Sequence, residues 1–282
     1  MSATATTTTH RTVRSISRRS SARSGRWMRA VVPAGVIAIW LLVSEFRLVD
    51  PLYIPSPQDL WASLVSLSGV LPAAIGASVG MTMLGLAIGV IFGVGTGLLM
   101  AYSPVVRDLL SDLMDIMRPV PVFALIPLFA LWFGIGIAPQ IAIIALGTSM
   151  VLGVTTVSAI RNVSSTHVKA ALTLGATRGQ VYRTVIVPSI VPHLLGSIRV
   201  AAAASWGLDV AAEFLGAQQG LGYTMIVRQQ YLDTSGIIVI CLIYSLLALA
   251  LDYVIRYLEA PLTRWTDRTT AGGAVAGVLG SN

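Results

Sequence analysis

"KAALTLGATRGQVYRTVIVP", residues 169–188, is a basic stretch set between long, almost uncharged apolar runs. It carries Lys169, Arg178 and Arg183, is interrupted by Gly175 and is followed by further apolar sequence after Pro188. On a helix, Val168, Ala171, Leu172 and Leu174 or Gly175 form a small apolar face, with Lys169 and Thr173 off it. Gly175 can take the left-handed conformation that ends a helix. "ATRGQVYRTVIVP" then restarts a helix that is expected to stop before Pro188, since a proline disfavours helix in the residue before it. The expectation is two short helices at an angle, with small residues at the bend. Such a pair suits a ridge-and-groove contact with another protein, or an amphipathic helix resting on anionic lipid through Arg178 and Arg183.

The surroundings say where this pair sits. Of the 282 residues, 55% are apolar and 11% charged, and mean hydropathy is +0.79. Soluble domains carry about 25% charge, so this chain cannot cover a globule with polar side chains and reads as an all-α integral membrane protein. The net charge is +7. A basic chain invites a nucleic-acid reading, but the placement of its charges argues for no nucleic-acid partner. Seven arginines precede the first span (11, 14, 18, 19, 23, 26 and 29), and sixteen of the 19 basic residues fall on alternate loops or span ends. That is the positive-inside pattern, with membrane lipid as the neighbour.

About 20 apolar residues cross a bilayer as helix. Six spans are predicted, near 30–48, 77–101, 110–133, 139–160, 190–215 and 236–258. Both termini then lie in the cytoplasm. Internal loops fall near 102–109 and 161–189, and external ones near 49–76, 134–138 and 216–235. Residues 1–26, rich in Ser, Thr and Arg and free of acids, are expected to be a disordered basic tail. Residues 27–265 form the membrane domain and 266–282 a flexible tail. The first span is too long for a signal h-region and reads as an uncleaved helix. Within the first external loop, Asp59, Leu60, Trp61, Leu64 and Leu67 read as a capped short helix on the membrane surface.

Four glycines, Gly85, Gly89, Gly93 and Gly97, recur every four residues in the second span. They form one ridge and predict close packing against another helix, of this chain or of a second copy. In the third span Pro119, Pro121 and Pro127 must bend or interrupt the helix. Such breaks persist where freed carbonyls meet protein or a water-filled cavity, so this span reads as a pore-lining bent helix or a buried kink. In the fifth span Asp209 and Glu213, four apart, share a face. Acids in a membrane face a cavity or a partner. They are candidates for the lining of a solute route, or for an ion pair with an arginine such as Arg118. Asp252 and Arg256 are an i, i+4 pair that gives local support.

Other chemistry is poorly represented. "GASVG", residues 76–80, matches G-x-S-x-G but lies at the start of a membrane helix with no strand before it, so Ser78 is no nucleophile elbow. The histidines, His10, His167 and His193, form no ligand motif, and Cys241 is the sole cysteine, so no metal centre is expected. Lys169 is the only lysine and no G-x-x-x-x-G-K-[ST] occurs, so no P-loop binds ATP on this chain.

The spacing of Ala170-Ala171, Gly175 and Pro188 resembles the "EAA" loop, E-A-A-x3-G-x9-I-x-L-P, of the membrane subunits of bacterial ABC importers. Lys169 stands at the Glu position, Val185 at Ile and Val187 at Leu. "PSPQDLWASLV" (55–65), "RPVPVFALIPLFALWFGIG" (118–136) and "VAAEFLGAQQGLGY" (210–223) extend the resemblance to the taurine, alkanesulfonate and nitrate permease branch, over about residues 50–265. The resemblance implies the type I importer fold with a cytoplasmic coupling loop, and a non-catalytic subunit. It implies a second copy of the chain in the pore and two ABC ATPase subunits that bind ATP-Mg and dock on Lys169, Ala170, Ala171, Gly175 and Pro188. A solute-binding protein would act at the outer face, and the inner membrane would be the location. The resemblance also places "GAQQGLGY" (216–223) beside an external gate; the candidates for a translocation path or gate are Arg118, Pro119, Pro121, Trp206, Asp209, Glu213 and Gln218. Asp209 stands where members of that branch usually carry an apolar residue, which is awkward for a small anionic solute unless the acid is paired or protonated. Relatives in the branch also import aromatic carboxylates and pyrimidine vitamin precursors. A stand-alone secondary transporter or channel is the competing expectation.

Overall fold

The structure, a computed structural model, describes residues 24–117 and 119–263, with side chains from Val31 onward. Most of the N-terminal tail, Arg118, and the C-terminal segment 266–282 lie outside the described residues; residues 24–26 are already helical. The chain divides into two compact units, 1–57 and 58–282. The first contains α1 (Ser24–Glu45), whose described apolar part is Val31–Glu45.

The second unit is all helix among its described residues: α2 (Pro57–Leu67, entered from the first unit), α3 (Leu71–Tyr102), α4 (Pro104–Met117), α5 (Ile126–Phe133), α6 (Ile137–Arg161), α7 (Ser165–Thr173), α8 (Arg178–Val181), α9 (Val187–Gly216), α10 (Leu221–Gln230) and α11 (Thr234–Leu262). Among the described residues, four helices are long and apolar enough to cross a membrane: α3, α6, the helical run Arg178–Gly216, and α11. Four of the six expected spans match these helices; the expected third is a broken pair made by α4 and Val122–Phe133, and the expected first falls on α1, whose described apolar part is shorter than a span.

The glycine ridge organises the unit. A Cβ on Gly85 would lie 2.7 Å from Ile144, and one on Gly97 would lie 2.5 Å from Thr156. Gly89 abuts Thr148 in the same way. Both series advance by four, so α3 and α6 run parallel with one ridge laid in the other's groove. The partner left open by the sequence is therefore within the chain. Thr148 and Thr156 are buried, and each gives its hydroxyl to a carbonyl of its own helix, Ile144 and Leu152, at 2.6 Å. That satisfies the hydroxyls where no water reaches them.

Helix α9 returns antiparallel to this pair, and α11 closes the far side. The apolar core is layered along them: Leu67, Leu71, Trp206, Leu221, Ile240 and Tyr244 near one end, Leu86, Leu152, Ala201 and Ala202 in the middle, and Ala159, Ile190 and Leu194 near the other. Beside the middle layer Arg199 of α9 binds Asp252 of α11 at 2.8 Å and Glu259 at 3.7 Å, while Arg256 holds the other Asp252 oxygen at 2.8 Å. The pair Asp252–Arg256, read as local support, is thus part of a tie between two helices.

Three expectations are corrected. α4 already begins at Pro104, inside the expected loop 102–109; the interruption expected within 110–133 is present, α4 meeting Val122–Phe133 at 90°. Pro121 is extended and opens a 3-10 turn, whereas Pro127 sits in the first turn of α5, where a missing N–H costs nothing. The expected loop 216–235 contains α10. Pro188 does not end the helix that restarts after Gly175. A π-turn over Tyr182–Ile186, closed by the Val187 N–H on the Tyr182 carbonyl, widens the helix just before the proline. The Ser189 hydroxyl takes the Val185 carbonyl at 2.5 Å. The restarted helix then runs on into α9.

Candidate functional site

Two clusters occupy opposite ends of the Arg178–Gly216 run, which spans about 58 Å at 1.5 Å per residue.

At one end is the quoted loop. Helix α7 ends in a Schellman turn: the Ala176 N–H binds the Ala171 carbonyl at 3.1 Å and the Gly175 N–H binds that of Leu172 at 3.0 Å. Gly175 has φ +87°, the left-handed conformation the sequence required of it. The chain restarts through a capping box. The Thr177 hydroxyl accepts from the Gln180 N–H, and Gln180 Oε1 accepts from the Thr177 N–H at 2.8 Å. Stop and start signals adjoin, which fixes the angle between α7 and α8. No residue of α7 is buried; Lys169, Ala170 and Leu172 are exposed, and Leu174 at the bend is 89% exposed. Pro188 lies farther along, lining a cleft of about 700 Å³ with His167, Thr184 and His193. The loop is tied to the bundle by Tyr182, whose hydroxyl donates to the Leu98 carbonyl of α3 at 2.6 Å and whose ring packs on Tyr102 at 5.2 Å.

At the other end lie the two acids. Glu213 is 1% exposed and Asp209 fully buried. Glu213 Oε1 accepts from the Ser78 hydroxyl at 2.6 Å. Its Oε2 accepts from the Gly222 N–H and, at 3.3 Å, from the Tyr223 N–H. Ser78 in turn accepts from the Leu221 N–H at 2.8 Å. The first three N–H groups of α10 are thus all taken by Ser78 and Glu213, and the carboxylate faces the positive end of that helix. Side chains at Gly220, with φ +114°, and at Gly222 would collide with the Glu213 carboxylate. The two glycines of "QGLGY" therefore make room for the acid. The Tyr244 hydroxyl of α11 lies 3.3 Å from Asp209 Oδ2 and 3.3 Å from Glu213 Oε2, and its ring packs edge-on against Trp206 at 6.0 Å. Thr82 lies beside Asp209, although neither its hydroxyl nor Asp209 Oδ1 makes a hydrogen bond of good geometry.

The structure brings Trp206, Asp209 and Glu213 together, with no cation on either acid among the described residues. Arg118, the suggested partner, lies outside them. Gln218 is exposed on the link to α10, and Pro119 and Pro121 are exposed at the break after α4. An apolar cleft of about 550 Å³ lies beside that break, lined by Leu113, Met117, Val120, Val122, Gly147 and Met150. Sequence reasoning missed Ser78 and Tyr244 as partners of the acids. The signal for Ser78 is its place in the sequence: a serine in the first turns of a span, where its hydroxyl needs a partner.

A multi-pass helical bundle that presents an exposed helical loop at one end has the architecture expected of a membrane permease. The chain belongs to the family described as "Binding-protein-dependent transport system inner membrane component", whose profile matches residues 85–264. It is 31% identical over 239 residues to the taurine transport system permease protein TauC of Escherichia coli (strain K12), covering 82% of this chain and 87% of that one. It is 29% identical over 244 residues to a Bacillus subtilis (strain 168) protein, SsuC, named for aliphatic sulfonates transport, covering 86% and 88%. Its fold is that of a chain in the inward-facing MetNI methionine ABC transporter, at TM-score 0.56 and 20% identity, covering 70% of this chain and 96% of that one. The fold is the type I ABC importer transmembrane fold. The chain is a non-catalytic, multi-pass permease subunit of the inner membrane, and ATP hydrolysis belongs to a separate subunit.

Proposed function

We propose that the chain is half of a homodimeric pore whose loop 169–188 is gripped by an ABC ATPase, one ATPase per permease copy, with ATP-Mg bound only on those partners. The observation that carries this is the loop's geometry. A Schellman stop and a capping-box start hold α7 at a fixed angle, unburied, at the end of the Arg178–Gly216 run. Lys169, Ala170, Ala171 and Gly175 supply a small-sided contact surface, and Pro188 helps shape the cleft behind it. In this reading the loop end and both termini are cytoplasmic. The α10 end is external and meets a solute-binding protein, and residues 27–265 form the membrane domain between the tails 1–26 and 266–282.

The solute we propose is a small organic sulfonate. TauC's taurine is one chemical guide, and the burial of Asp209 away from the apolar cleft supports the reading. That acid points into the α3–α9–α11 interior, while the cleft beside Pro119 and Pro121 is lined by apolar side chains. An anion passing there meets no buried carboxylate from the described residues. Trp206, Asp209 and Glu213 support the wall of the path, and Gln218 borders its outer end.

The test is reconstitution of the permease with its ATPase and binding protein in liposomes, with radiolabelled taurine and ATP. ATP-dependent uptake that vanishes without the binding protein is expected. Uptake driven by an ion gradient without the ATPase would return the chain to the secondary-transporter reading.

A further inference from the structure

The acids of α9 have a second consequence, which rests on the importer reading above. Glu213 and Ser78 satisfy the first three N–H groups of α10 between them, and they come from two different spans, α9 and α3. A helix end left without partners in a membrane interior is costly. The attachment is therefore specific: a carboxylate on the end of the Arg178–Gly216 run, and a hydroxyl that both donates to it and accepts from Leu221. Gly220 and Gly222 let α10 approach closely enough to be held, and Tyr244 adds a bond from α11. Leu221 is fully buried beneath this contact. At its opposite end the same helical run carries the docking loop, tied to α3 through Tyr182.

We infer that Ser78 and Glu213 form a clasp that holds the N-terminus of α10 shut, and that motion of the loop reaches the outer face by loading this clasp. Ser78 and Glu213 are positioning residues. They act through α10 and need not touch solute. The arrangement converts a displacement of the long helix into a pull on two backbone N–H groups directly, those of Gly222 and Tyr223, and on that of Leu221 through Ser78. Opening the clasp lifts α10 and exposes the face that carries Leu221 and Thr224, both buried in the closed arrangement.

The experiment uses the assembled transporter in nanodiscs, with Cys241→Ser removing the native thiol and Thr224→Cys supplying a reporter. A membrane-impermeant maleimide reads how often α10 lifts, and ATP hydrolysis is measured without binding protein. Ser78→Ala is expected to raise the labelling rate about tenfold, the order of effect of losing one buried hydrogen-bond partner. It also raises unstimulated ATP hydrolysis and lowers uptake per ATP. Ser78→Thr, which keeps the hydroxyl, restores slow labelling. Should Ser78→Ala fail to assemble, Tyr244→Phe, which removes only the 3.3 Å bonds, is read in the same way. Unchanged labelling and hydrolysis in the assembled variants overturn the clasp, as does a loss of thermal stability alone. Labelling is scored against the unsubstituted reporter, so the outcome is separate from whether taurine is the solute. Failure of the unsubstituted complex to couple ATP to uptake counts against the importer reading instead.

Discussion

Gly93 of α3 and Ser149 of α6 meet backbone to backbone: a Cβ on Gly93 would stand 2.6 Å from the Ser149 carbonyl oxygen. A rigid backbone cannot yield as a side chain can. Gly93→Ala is therefore expected to force the two helices apart and cost about 1–3 kcal/mol of stability, as overpacking does. Gly95, two residues on, faces open space, so Gly95→Ala serves as the internal control. Thermal unfolding of the purified permease in detergent checks the pair. Equal melting temperatures for the two variants would mean that the ridge is not a packing device.

Gly175 predicts a different kind of defect. A Cβ there meets no atom within 4 Å, but φ is +87°. The cost is conformational, about 1 kcal/mol for an ordinary L-residue and more for a β-branched one. Gly175→Val should undo the Schellman turn and swing α7 off its angle. Copurification with the ATPase then falls while melting of the spans stays unchanged. Gly175→Asn, which tolerates this conformation, should retain docking. Full docking by the valine variant would show that the angle does not matter.

Arg199 joins α9 to α11 through Asp252 and Glu259. If the three act as a unit, Arg199→Gln and Asp252→Asn are not additive, and the double variant loses no more than the worse single one. A thermal-shift double-mutant cycle measures this. Strict additivity would mean that each side chain acts alone.

Asp209→Asn should leave taurine uptake within about twofold of the parent. The carboxyl is fully buried and faces Tyr244, and an amide oxygen can accept the same bond. A severe loss of uptake with normal assembly would put Asp209 on the solute route after all.

Much of this was legible in the sequence, for identifiable reasons. The glycine period revealed a ridge because small residues at every fourth position align on one helix face. It could not reveal the partner, because a helix of this chain and one of a second copy present the same kind of groove. Gly175 was legible because its conformation is a local property. Pro188 misled: the rule that a proline stops a helix assumes an α-turn before it, and a π-turn at Tyr182–Ile186 removes the conflict. Asp209 and Glu213 were found as anomalies of charge. Their surroundings depend on Ser78 and Tyr244, 135 and 31 residues away from Glu213, and no local pattern joins residues that far apart. The stretch that forms α10 looks like loop in the sequence because its ten residues are too polar to resemble a span.

The π-turn before Pro188 sets a compass bearing. Each α-helical residue turns the chain by about 100°, and a π-turn holds one residue more than the α-turn it replaces. Everything on the N-terminal side of Tyr182, the loop included, is thus rotated by that one residue relative to Asp209 and Glu213. Removing a single residue from 182–186 would leave every contact surface chemically intact and aim the loop in a different direction.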